Sequence, residues 1–83
     1  MYNTKYVIVE GCAIVFSAAL THKDMVGYGQ KVDGAGFVRF DTKIDSYGET
    51  IIVAKAYGRS VSLNIDSREE DSDIITRQIS NPF

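Results

Sequence analysis

Two apolar runs separated by a single polar pair constrain this chain more than any other feature. Lys5 to Val9 and Ala13 to Phe16 are rich in β-branched and aromatic residues, and Glu10-Gly11 lies between them. Glycine supplies the positive φ that a tight turn requires, so the arrangement predicts two antiparallel strands joined as a hairpin. Nearly every position in the runs is apolar. A half-exposed strand alternates, so at least one of these two is expected to be covered on both faces. Lys5, the apolar segment around Val7 to Leu20 and Ser17-Ala18-Ala19 also have the outline of a secretory leader, but Glu10-Gly11 cuts the apolar part in two. Removing it would leave too little chain for a core. We therefore expect a cytoplasmic protein with no membrane span.

Eighty-three residues, 45 % apolar and 24 % charged, suit one globular domain over residues 1–83. Cores of this size stabilise thinly, so a homo-oligomer, a dimer or a small ring, is expected. The net charge of −2 and the scattered basic residues exclude a general nucleic-acid binder, which needs a basic face. Cys12 is the one cysteine, so there is no internal disulfide, and its apolar neighbours predict a buried, inert thiol.

Beyond the hairpin, Thr21 and Asp24 form a capping-box-like pair that predicts a short helix after the second strand. Gly27 to Gly36, with four glycines in ten residues, reads as a loop. Phe37–Phe40 and Ile51–Tyr57 read as the next two strands, joined by the polar stretch Asp41–Thr50 with its tip near Ser46-Tyr47-Gly48. Ser60–Ile65 alternates, with Val61, Leu63 and Ile65 against Ser60, Ser62 and Asn64, the clearest strand pattern in the chain. Ser67 and Glu70 form a second capping box, opening a C-terminal helix with acids in its first turns. Ile74, Ile75 and Ile79 make that helix's apolar stripe, and Asn81-Pro82 stops it. The expected fold is α+β: an antiparallel sheet of about five strands, curled at most into a partly open barrel, with a short helix after strand two and a C-terminal helix.

The residue inventory argues against an enzyme. His22 is the only histidine, and pairing it with Cys12 would require a thiol that the pattern buries. One histidine and one cysteine do not make a zinc site, and Glu69, Glu70, Asp71 and Asp73 suit a helix dipole better than acid–base work. The pairs Gly27-x-Gly29 and Gly34-x-Gly36 lack the rest of a phosphate-binding fingerprint. No catalytic residue, metal ligand or cofactor is assigned. Two junctions stand out as binding candidates. Tyr57-Gly58-Arg59-Ser60 presents an arginine beside a hydroxyl, and Asn64 to Asp71 runs a strand into a helix N-terminus with Arg68 beside it. The candidate ligand-binding residues are His22, Arg59, Ser60, Asn64 and Arg68. A six-residue strand at about 3.3 Å per residue would hold Arg59 and Arg68 roughly 20 Å apart, so a shared site would need two subunits.

Four segments carry a resemblance: Thr21-His22-Lys23-Asp24-Met25, Gly34-Ala35-Gly36-Phe37-Val38, Tyr57-Gly58-Arg59-Ser60-Val61-Ser62-Leu63, and Ser67-Arg68-Glu69-Glu70-Asp71 with Ile74 and Ile75. In order and spacing, from His22 to Ile75, the succession resembles a family of small phage and prophage proteins without a settled activity. It departs from that family at Lys23, where serine is usual, at Glu69, where proline is usual, and at Tyr57, which lacks the nearby cysteine. The resemblance implies a phage-type accessory protein in the host cell cytoplasm. By association, that is a non-catalytic binding or inhibitory factor directed at a host protein or a small anionic ligand. The alternative is a structural or assembly component of a phage particle that only self-associates.

Overall fold

The structure, a computed structural model, describes residues 4–80. Glu10 and Gly11 both take positive φ (51° and 83°), the mark of a two-residue type I′ turn, and they join β1 (Thr4–Val9) to β2 (Cys12–Ser17). β3 (Val32–Ile44) pairs with the other side of β1, and β4 (Thr50–Tyr57) pairs with β3, all antiparallel. The result is an open four-stranded sheet in the order β2-β1-β3-β4. A separate two-stranded ladder joins β5 (Arg59–Ser60) to β6 (Ile65–Asp66), and α1 (Asp71–Ser80) closes the described chain. The α+β class is as expected. A single five-stranded sheet is not formed, and the sheet does not close into a barrel.

β1 is the doubly covered strand. Tyr6 and Ile8 face α1, where they pack with Ala13, Val38, Ala54 and Ile75. Val7 and Val9 face the other way, into Phe16, Ala35, Met25, Leu63 and Ile65. The sheet thus lies between α1 on one face and the loops around residues 21–26 and 61–65 on the other. α1 spans from one edge strand to the other. Thr76 and Ser72 accept the free N–H groups of Ala54 and Ala56 on β4, both at 2.9 Å. At the far edge, the Gln78 amide accepts from the Ala13 N–H (2.9 Å) and donates to the Ala13 carbonyl (2.7 Å) on β2. Of the predicted helix stripe, Ile75 is fully buried, Ile74 is partly buried and Ile79 is exposed. The Asn81-Pro82 stop lies outside the described residues.

Several expectations are corrected. The short helix after β2 is not an α-helix but a single 3₁₀ turn, His22–Met25, although the Thr21–Asp24 capping box that opens it does form. Asp24 accepts from the Thr21 backbone N–H and from its side chain, which holds its carboxyl below the usual carboxylate range. β3 begins at Val32, so the glycine-rich stretch is a loop only in its first half. Gly34 lies in the sheet, where a Cβ would come within 2.2 Å of the Asp71 carboxylate.

Ser60–Ile65 is not a strand. Residues 61–64 form a turn, with Asn64 at φ 56°. Only its ends, Ser60 and Ile65, pair with each other in the β5–β6 ladder, and local side-chain bonds hold the turn between them: the Leu63 N–H donates to the Ser60 hydroxyl at 3.1 Å. Arg59 therefore sits opposite Asp66, and the long separation of Arg59 from Arg68 does not arise. Ser67 does not cap α1; its hydroxyl donates to the Gly58 carbonyl at 2.8 Å. The reciprocal contact shifts by one residue, with the Arg68 N–H donating to Asp71 Oδ2 at 2.9 Å. Cys12 is exposed, because it lies at the end of an edge strand beside the turn, where nothing among the described residues covers it. No helix among the described residues is long and apolar enough to cross a membrane.

Candidate functional site

Cross-strand register builds the site. Phe16, Lys5, Phe37 and Tyr57 are consecutive partners across β2, β1, β3 and β4, so their side chains form one row on the face away from α1. The Phe37 and Tyr57 rings stack at 5.8 Å. His22, placed over this row by the 3₁₀ turn, stands edge-on to Phe16 (5.4 Å) and to Phe37 (6.1 Å). It is 3 % exposed, and its Nε2 lies 2.7 Å from the Gly36 carbonyl. A carbonyl only accepts, so Nε2 carries the proton and donates it. The Lys23 N–H donates to the Ser62 hydroxyl (3.3 Å), tying the 3₁₀ turn to the turn at residues 61–64.

Between these two turns opens a cleft of about 330 Å³, lined by Lys5, Thr21, His22, Phe37, Arg59, Val61 and Ser62. Its floor is aromatic and its rim carries two cations. The Lys5 ammonium lies 5.9 Å from the Phe37 ring centroid and donates to the Leu20 carbonyl at 2.9 Å, leaving two further donors. Arg59 donates to Asn64 and pairs with Asp66 at 3.5 Å. That carboxylate is 79 % exposed, so the pair is loose and a ligand anion can compete for the guanidinium.

A second polar cluster lies on the opposite face, beneath the start of α1. Asp71 is fully buried and accepts from the Tyr6 hydroxyl at 2.5 Å. Arg68 donates to Asp71 Oδ1 from its Nε at 2.9 Å, and its terminal nitrogen lies 2.8 Å from the same oxygen. Burial, then the hydrogen bond to Asp71 and its charge, pushes the Tyr6 hydroxyl well above the ordinary tyrosine range. Desolvation works against the Arg68 charge, but Asp71 outweighs it and raises the guanidinium pKa. Gly34 leaves the space that the Asp71 carboxylate fills. The buried Asp71 carboxylate is held on one oxygen by Tyr6 and on the other by Arg68, and no buried side-chain polar atom among the described residues lacks a partner, so the cluster is built for cohesion.

The sequence-derived candidates therefore separate. His22 and Arg59 meet in the cleft, Ser60 is buried beneath it, and Asn64 orients Arg59 from outside. Arg68 belongs to the other cluster. Lys5 and Phe37 were not singled out, because only strand register shows that residues far apart in the chain share one row. Among the described residues no group of three or more His, Cys, Asp or Glu converges as a metal site would require. Comparison with protein-family models, with curated proteins and with solved structures finds no match for this chain.

Proposed function

We propose that the protein is a non-catalytic binding factor whose cleft takes a small anionic ligand with a planar apolar portion, of the nucleotide class. One observation carries the reading: Lys5, whose ammonium lies 5.9 Å from the Phe37 ring centroid, and Arg59 line one cleft of about 330 Å³ together with that ring. That volume is near the lower end of small-molecule sites, which typically span about 300–1,000 Å³. The cations suit a phosphate or carboxylate, the aromatic floor suits a ring, and the Thr21 and Ser62 hydroxyls offer orienting hydrogen bonds. The His22 Nε2 proton is committed to the Gly36 carbonyl, which supports a structural histidine rather than a proton-transfer group. The setting implied by the phage resemblance, a factor acting in the host cytoplasm, is compatible with this role.

Calorimetry with adenosine 5′-monophosphate, adenosine and inorganic phosphate tests it. The monophosphate should bind more tightly than either fragment. Arg59→Ala and Lys5→Ala should each weaken it by about tenfold, the effect of one charge-assisted contact. No heat from any of the three up to millimolar concentration removes the reading. It would then favour the assembly-component alternative, for which the exposed apolar face of the β3–β4 hairpin speaks.

A further inference from the structure

β4 is an edge strand, and α1 satisfies only half of that edge. Outward-pointing groups alternate along a strand, and the outward N–H groups of Ala54 and Ala56 go to Thr76 and Ser72. By the same alternation, Thr50 and Ile52 point their N–H and C=O groups away from β3, with no strand beside them among the described residues. Ile52 is 52 % exposed. A groove of about 450 Å³ runs along this edge, with Ile51, Val53 and Lys55 on the strand and Asp73 and Thr76 across it. The opposite edge of the sheet differs: the Gln78 amide blocks β2 at Ala13 by bonding both its N–H and its C=O.

An open edge of this kind invites another strand, and the sequence along it names the strand that fits. Residues 49–55 read Glu-Thr-Ile-Ile-Val-Ala-Lys. Laid antiparallel on a second copy with Ile52 on the two-fold axis, Ile51 meets Val53, Thr50 meets Ala54 and Glu49 meets Lys55. Every apolar residue faces an apolar or small one, and the only two charges in the segment face each other, twice by symmetry. Ile52 points its backbone outward, so it would form a hydrogen-bonded pair with its own copy. The Thr50 N–H would reach the partner's Ala54 carbonyl while the Ala54 N–H keeps Thr76. Lys43 and Lys55 line the groove against one acid, Asp73, which suits the arriving glutamate. Moving the two-fold axis to Ile51, a slip of two residues between the strands, places Glu49 opposite Val53 and loses both charge pairs.

We propose that two copies of this chain join through their β4 edges, antiparallel about Ile52, to make one continuous sheet across a dimer. Light scattering and sedimentation of the full chain should then give twice the 9.2 kDa mass at micromolar concentration. Glu49→Lys and Lys55→Glu each set like charges opposite one another at two symmetric positions. Each should raise the dimer dissociation constant by about tenfold, and the double variant Glu49→Lys/Lys55→Glu should restore it. Both positions are exposed, so neither change disturbs the core. As a separate measurement, Ile52→Cys on a Cys12→Ser background should oxidise to a covalent dimer. Hydrogen-bonded antiparallel partners stand about 5.5 Å apart at Cα, within disulfide reach. A single-chain mass for the wild type, single charge variants that bind as wild type, a double variant as weak as the singles, or no covalent dimer would each overturn the interface.

Discussion

Arg68 and Arg59 lie near the two ends of one short excursion of chain, yet they answer to opposite faces of the sheet. On the α1 face, Arg68 holds a carboxylate with no solvent exposure, and Tyr6 holds its other oxygen. On the cleft face, Arg59 is half exposed and its acid is almost bare. A charge whose partner is buried cannot leave without stranding that partner in a medium that cannot solvate it. A charge whose partner is in water can exchange it for a ligand at little cost. Chemistry identical in the sequence thus becomes a clamp on one face and an exchangeable charge on the other, and burial of the partner makes the difference.

Asp71→Ala breaks this contrast most severely. It strands Arg68 and the Tyr6 hydroxyl together, and chemical denaturation should show a loss of about 3–5 kcal/mol. In a domain this small that approaches the whole stability. Arg68→Ala should cost somewhat less, roughly 2–3 kcal/mol, because its guanidinium is already one-third exposed. Arg59→Ala should shift the denaturation midpoint by less than about 0.5 kcal/mol. Equal losses from the two arginines would erase the distinction between the faces. The Arg68 expectation also departs from a reading of both arginines as surface binding groups, which would leave the fold untouched.

Alkaline unfolding sharpens the same comparison. The fold holds the Tyr6 phenol neutral, with its pKa above the ordinary value of about 10. Its contribution is therefore complete below that ordinary value and declines as pH rises above it, where the unfolded phenol ionises and the folded one does not. Urea midpoints followed from neutral pH upward should fall above pH of about 10, and Tyr6→Phe should flatten that decline. A decline equally steep in the variant would assign it to other groups. Ser67→Ala, which removes a hydrogen bond to the Gly58 carbonyl between the two faces, should cost about 1 kcal/mol. Least consequential for stability is Cys12. Because it is exposed, a thiol reagent should label it in the native protein, and labelling only after unfolding would contradict its position.

The sequence by itself determined the elements whose signals are local. The Glu10-Gly11 pair marked the first hairpin, and continuous apolar character marked at least one of its strands as doubly covered, which the structure shows to be β1. The strand character of Phe37–Phe40 and Ile51–Tyr57, the Thr21–Asp24 capping box and the C-terminal helix were legible for the same reason: each depends on residues within a few positions of one another. Tertiary structure decided what hydrogen-bond competition and register control. Alternation in Ser60–Ile65 marked a strand, but Ser60 and Asn64 favour a turn once β5 and β6 need to meet, and local side-chain bonds prevailed over the ladder. Ser67 had the right spacing for a cap, but Asp71 was drawn into a buried site that only Gly34 could open, and the helix start moved with it. The cleft lay furthest from view. Lys5 and Phe37 are adjacent only because antiparallel strands bring residues distant in the chain into one row, Arg59 joins them from the separate β5–β6 ladder, and pairing of that kind is written in no single stretch of sequence.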